Sequence, residues 1–185
     1  VDEAIVEAVG ALLDEVGYAR LTMDAVAARA GIGKAAIYRR YSSKQEMVFA
    51  SAVHGRDLSV PADTGSLHGD LTALAEVIVT HLSNPRAGSL LGMLGDTGGD
   101  PEAFARFTEQ LIEPERAGNA EILQRAVHRG ELTHLPDIKL FHAMFGGTVL
   151  YWTFIAREDS TGLPARLAAL ACQALATHQP ANNAG

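Results

Sequence analysis

The sequence has one cysteine, Cys172, among 185 residues. A lone thiol excludes a disulfide within the chain and fits a reducing compartment, so the expected location is the cytoplasm. Long apolar runs are also missing. The uncharged stretch from Ala143 to Ala156 is 14 residues long, short of the roughly 20 that a membrane-spanning helix needs. No membrane partner is expected, and no leader-like pattern is visible. The chain opens on Val1 rather than Met, which raises the expectation of a short preceding arm. The seven histidines show no compact metal spacing on one helix face, so no metal and no cofactor are expected. His81 and His142 fall on apolar-rich helices, where a hydrogen-bonded core histidine is the plainer reading. No Ser-His-Asp or Cys-His arrangement can be assembled, and catalysis has no support.

Alternation with a period of two is absent, and everything reads as helix, so the fold class is all-α with about nine helices. Val1, Ile5, Val9, Leu12 and Val16 form the first helical stripe, which ends near Gly17. Ser43-Lys44-Gln45-Glu46 fits a capping box and opens a fourth helix to about Leu58. Ser59 to Gly65 reads as a loop. Leu67, Leu71, Leu74, Ile78 and Leu82 mark the next helix, and a short one carries Leu90, Leu91, Met93 and Leu94. Asp100-Pro101 is a strong helix start. That seventh helix runs to Gly130, with a kink or break expected at Pro114 because an interior proline loses a hydrogen bond and clashes one turn back. The eighth, about Asp137 to Arg157, is apolar on two sides and must be covered on both. A ninth follows Pro164.

The net charge of −7 divides unevenly. Residues 1–58 carry 7 basic and 8 acidic side chains, whereas residues 59–185 carry 8 and 14. The cations of the first region cluster: Arg29, Lys34, Arg39, Arg40 and Lys44 lie within sixteen residues that hold no acid. The acidic remainder would keep the far side of the molecule off phosphates.

Residues 22–44, TMDAVAARAGIGKAAIYRRYSSK, describe two short helices meeting at a glycine turn. Thr22 suits the N-cap, Asp24 the positive end of the dipole, and Leu21 with Val26 a hydrophobic staple. Gly31 falls where a left-handed residue is usually needed. The next helix is expected over Lys34 to Arg40. At about 100° per residue, Ile37 and Tyr41 share one side of it and Ala35 with Arg39 the other. A helix-turn-helix with a basic second helix is the geometry that fills a DNA major groove. The DNA-binding residues read from this pattern are Thr22, Gly33, Lys34, Ala35, Ala36, Tyr38, Arg39, Arg40 and Lys44. Small alanines permit close approach to base edges, and Arg39 is best placed to read guanine. Thr22, Tyr38 and Lys44 suit phosphate oxygens, which fix register without carrying sequence information.

This segment resembles the DNA-binding domain of the tetracycline-repressor (TetR) family, whose pattern is a Thr opening helix 2 followed by roughly AxxAGVSxGxLYxHFxSKE. Here Thr22 is followed by AARAGIGKAAIYRRYSSKQE. The Ala-Gly, Tyr38 and Ser-Lys landmarks match. Gly33 replaces the usual capping Ser, Ala35 a frequent Gly, and Arg39-Arg40-Tyr41 the more usual residue-His-Phe. The motif covers about a quarter of the chain. The resemblance implies a DNA-reading domain over residues 1–45, a regulatory and dimerisation body over 46–178 with helix 4 (44–58) as connector, and a mobile tail over 179–185. It also implies a homodimer, a palindromic double-stranded DNA operator, and a small-molecule effector that releases it. The effector-contact candidates are His81, Met93, Phe104, Phe107, Leu111, Phe145 and Trp152, an aromatic set that favours an apolar or aromatic ligand. The dimer candidates are Phe141, Met144, Thr148, Tyr151, Leu167, Leu170, Ala171 and Ala174, which would build a four-helix interface. The expected function is a one-component repressor and not an enzyme. The alternative is a helical ligand-sequestering or protein-interaction module of the same fold that does not read DNA.

Two motifs mislead. Gly31-Ile32-Gly33-Lys34-Ala35-Ala36 matches a dinucleotide-binding pattern but follows a helix rather than a strand. Asp63-Thr64-Gly65-Ser66 spells an aspartic-protease-like signature between helices, where turn and capping roles suffice.

Overall fold

The computed structural model describes residues 2–54, 59–83, 87–88, 92 and 101–177. Among these, α1 spans Asp2–Arg20, α2 Met23–Arg29, α3 Lys34–Arg40, α4 Lys44–Val53 and α5 Leu67–Leu82. Then follow α6 (Pro101–Phe107), a π-helical turn (Thr108–Ile112), α7 (Glu113–His128), α8 (Ile138–Leu150), a second π turn (Tyr151–Ala156) and α9 (Leu163–Thr177). The all-α expectation holds. No helix of the described residues is long and apolar enough to cross a membrane. Leu58, the short helix of Leu90, Leu91, Met93 and Leu94, and the tail over 179–185 lie outside the described residues.

The contacts divide the chain into two compact units, residues 1–57 with 84–112, and residues 58–83 with 113–185. Residues 84–112 cluster with the N-terminal helices because Phe107 and Leu111 pack on Phe49 of α4.

In the first unit, Ile5, Val9 and Leu12 of α1 pack with Leu21, Val26, Ile37 and Met47. Gly17 takes a positive φ of 73° and ends the regular part of α1 where the apolar stripe stops. Phe49 and Phe107 meet edge to face, with centroids 5.6 Å apart. Such pairs are worth about 0.5–1.5 kcal/mol beyond burial.

In the second unit, α5 packs against α7, α8 and α9. Leu71, Ile122, Leu123, Phe145, Val149 and Ala168 are among its best-buried residues. The loop before α5 is tied down by Arg129, which donates to Asp63 at 2.8 Å, Asp70 at 2.9 Å and Glu131 at 2.6 Å. Asp70 is only 1% exposed. Burial alone would raise its carboxyl, but hydrogen bonds from Thr64 and Arg129 outweigh that and hold it below the usual carboxylate range. Asp63 accepts from the Gly65 amide and Ser66 caps α5, so the protease-like tetrapeptide has turn and capping roles.

The helix expected over 101–130 is interrupted just before Pro114: regular α-helix ends at Phe107 and starts again at Glu113. The π turn Thr108–Ile112 comes just before, where the carbonyl of Gln110 loses its usual amide partner, and α7 resumes at Glu113. A locally widened turn absorbs the missing donor.

Candidate nucleic-acid interface

Four local devices build the segment from Thr22 to Lys44. The Thr22 hydroxyl accepts from the Ala25 amide at 3.2 Å, capping α2. Leu21 and Val26 are buried as the staple requires. At the other end, Gly31 has φ 67°, its amide donates to Ala28 at 3.4 Å, and the Ile32 amide donates to Ala27 at 3.0 Å. That pairing is a Schellman motif, which turns the chain sharply and satisfies two orphan carbonyls. Ser43 then caps α4 by accepting from the Glu46 amide, while Glu46 reaches back to Ser42 rather than to the cap residue itself. The capping box is therefore displaced by one residue on its return arm.

Between these devices α3 spans Lys34–Arg40. Gly33 provides no side-chain cap, as its replacement of Ser implies. Ile37 is fully buried and anchors the helix, and Tyr41 packs at the edge of the same cluster. Gly33, Lys34, Ala35, Tyr38, Arg39 and Arg40 are exposed, and Ala36 is half-buried. Tyr38 shows 56% of its surface, a large exposure for an aromatic residue. An exposed row of small, basic and phenolic side chains on an anchored helix is what groove insertion asks for.

The cations are not equivalent. Arg29 donates to both oxygens of Glu15, at 2.8 and 2.6 Å, and so pins α2 to α1. Lys44 donates to the Tyr18 carbonyl at 3.2 Å and lies over the Tyr18 ring, 4.2 Å from its centroid. Lys34 donates to Asp24 at 2.5 Å, and Tyr38 donates to the other oxygen of Asp24 at 3.2 Å. The Lys34 hydrogen bond, with a smaller contribution from Tyr38, holds the Asp24 carboxyl below its usual range. Arg39 makes no ion pair or hydrogen bond with any described residue. Its side chain is exposed. The ties on Arg29, Lys34 and Lys44 escaped the sequence reading because each joins residues 10 to 26 apart.

The effector candidates are spread over both units. Phe104, Phe107 and Leu111 belong to the first, Phe107 and Leu111 being buried on Phe49 and Phe104 exposed. His81, Phe145 and Trp152 belong to the second. Phe145 is a core residue stacked on Phe141, and Trp152 donates from Nε1 to the Asp159 carbonyl at 3.0 Å. A polar island missed in the sequence also lies in the second unit. Asn119 Nδ2 is 3.2 Å from His142 Nδ1, Glu115 is 3.9 Å from His142 Nε2, and Arg116 Nε is buried with no hydrogen-bond partner among the described residues. Burial first, and the Arg116 charge second, push the His142 imidazole below its ordinary range.

Of the dimer candidates, Phe141, Leu167 and Ala171 are buried in the unit's own core. Met144, Tyr151, Leu170 and Ala174 are exposed, and Thr148 is half-buried. The outward apolar row is Leu140, Met144, Tyr151 and Ile155, joined by Leu170 on α9.

A capped helix, a Schellman corner and an anchored basic helix together define a helix-turn-helix regulator of transcription. Residues 5–51 match the family model described as "Bacterial regulatory proteins, tetR family", and residues 61–171 match "Tetracyclin repressor-like, C-terminal domain". The chain belongs to the TetR family of transcriptional regulators, as a DNA-binding protein rather than an enzyme. It is 40% identical over 151 residues to the HTH-type transcriptional regulator Rv1556 of Mycobacterium tuberculosis, covering 81% of this chain and 74% of that protein. Its fold is similar to the TetR family transcription regulator SCO0332, with a TM-score of 0.71 and 24% identity over 92% of this chain and 96% of that one. It is also similar to the flavonoid-responsive regulator FrrA, with a TM-score of 0.69 and 20% identity over 97% of both chains.

Proposed function

We propose that this chain is a homodimeric repressor that binds a palindromic operator through α3 and leaves it when a small, largely apolar or aromatic effector binds. The observation that carries the DNA reading is the outward row from Lys34 to Arg40 on a helix held by a fully buried Ile37. Two such helices in a dimer would enter successive major grooves about 34–36 Å apart, one DNA turn. The unpaired Arg39 supports its assignment as the base reader, whereas Lys34 and Lys44 must exchange protein partners to reach phosphates. Selection of bound sequences from a random duplex pool tests this. Recovery of an inverted repeat is expected, and no enrichment at low salt would leave the alternative of a module that does not read DNA.

The homodimer reading rests on the exposed row of Leu140, Met144, Tyr151 and Ile155 with Leu170. The effector reading rests on family membership and on the name of FrrA, which describes a regulator responsive to flavonoids. Trp152 and the polar island of Arg116, Asn119 and His142 are the second unit's best candidates for contacts with such a ligand. Release works only if the effector binds the conformation that does not hold DNA more tightly. A tenfold loss of operator affinity requires about 1.4 kcal/mol of coupling. Titrating aromatic compounds into the operator complex measures it, and unchanged DNA affinity at saturation would remove the effector claim.

A further inference from the structure

We propose that Asp24 is a tethered stand-in for a DNA phosphate, engaging Lys34 and Tyr38 of α3 until a backbone phosphate displaces it. The inference rests on the DNA-binding reading above. Lys34 and Tyr38 are one turn apart on the same edge of α3, and each donates to a different oxygen of one carboxylate, at 2.5 and 3.2 Å. Two acceptor oxygens on a single negative group are also what a phosphodiester presents to the same pair. Asp24 sits in the first turn of α2, where the helix dipole favours a carboxylate without help from Lys34. The Schellman corner at Gly31 fixes its distance from α3. All three side chains are solvent-accessible, and an exposed pair of this kind adds little to folding stability.

On a duplex the pair has a distinct consequence. When Lys34 moves to a phosphate, the Asp24 carboxylate is left beside the DNA and retains a cation in its place. One counterion release is thereby cancelled. Asp24 thus acts as a uniform brake on affinity, independent of base sequence, while Arg39 reads bases undisturbed.

The test measures binding of the full chain to a fluorescent duplex of scrambled sequence and to the duplex selected from a random pool, across a salt series. Asp24→Asn should tighten both by the same factor, about 1.5- to 5-fold for each protomer given the worth of exposed pairs. It should also steepen the slope of log affinity against log salt by about 0.9 per protomer, one phosphate's share, or about 1.8 for the bound dimer. The steepening should vanish when the substitution is placed in a Lys34→Gln background. Asp24→Ser supplies the same neutralisation should Asn perturb α2, and thermal unfolding of each variant reads that directly. Weaker or unchanged binding by folded variants, or a change in the preferred sequence, overturns the Asp24 role alone. Failure of the unsubstituted chain to bind either duplex at low salt sinks the DNA reading as well.

Discussion

Arg39 differs from its neighbours in what it leaves unused. Its guanidinium has no partner among the described residues, whereas Lys34 and Lys44 are already engaged. Arg39→Ala should therefore relax base preference at one position per half-site by about 1–3 kcal/mol, measured by competition among single-base operator variants. Lys44→Ala should weaken all duplexes alike, and its loss from the Tyr18 ring should cost about 0.5–1 kcal/mol of stability, read by denaturant unfolding. His142 brings a pH dependence of its own. Its imidazole is held below the ordinary value of 6.5 by burial, so the unfolded chain binds its proton first. Stability from this group is full above pH 6.5 and is lost as pH falls below that toward the folded value. The unfolding midpoint should drop over that window, and His142→Gln should flatten the drop.

At the level of elements, Gly31 sets the α2–α3 corner through its φ of 67°. An added Cβ would meet no heavy atom within 4 Å, so the cost of Gly31→Ala is conformational, about 1–2 kcal/mol, visible in thermal unfolding together with weaker DNA binding. The ends of α2 and α3 were legible in the sequence because their signals are local: a Thr cap, a Gly corner and an apolar Ile37 amid polar neighbours. The covering of the eighth predicted helix was not. Its two apolar sides do not say which is covered: the buried set of α8 is Phe141, Phe145 and Val149, and a π turn from Tyr151 changes the angular step per residue beyond it. Periodicity tallies apolar sides without saying which is already occupied from within the chain. The Asp24–Lys34 tie was likewise hidden, since it depends on a corner angle and not on spacing along either helix.

For the whole molecule, the largest exposed aliphatic surfaces collect on α8, the π turn and α9, with Leu140 at 66% and both Ile155 and Leu170 at 64%. Residues so exposed contribute little to the unit's own core. Leu170→Glu combined with Ile155→Glu should leave each monomer folded by circular dichroism yet shift sedimentation from dimer to monomer. Operator affinity should fall steeply, because two half-sites bound by linked heads gain from a high local concentration that separated heads lose. A dimer that persists in this variant would place the partner elsewhere.

Thr22 carries a further consequence. Its oxygen takes the Ala25 amide hydrogen at 3.2 Å, and a hydroxyl has just one hydrogen of its own to give. That hydrogen is the atom left for a nucleic-acid oxygen. Replacing Thr22 with Val would remove acceptor and donor together, so helix fraying and weakened grip would arrive as one phenotype, whereas Ser would keep both. Asp, by contrast, would keep the cap and lose the donor, so the two roles of this hydroxyl separate only through an acceptor that has no hydrogen to give.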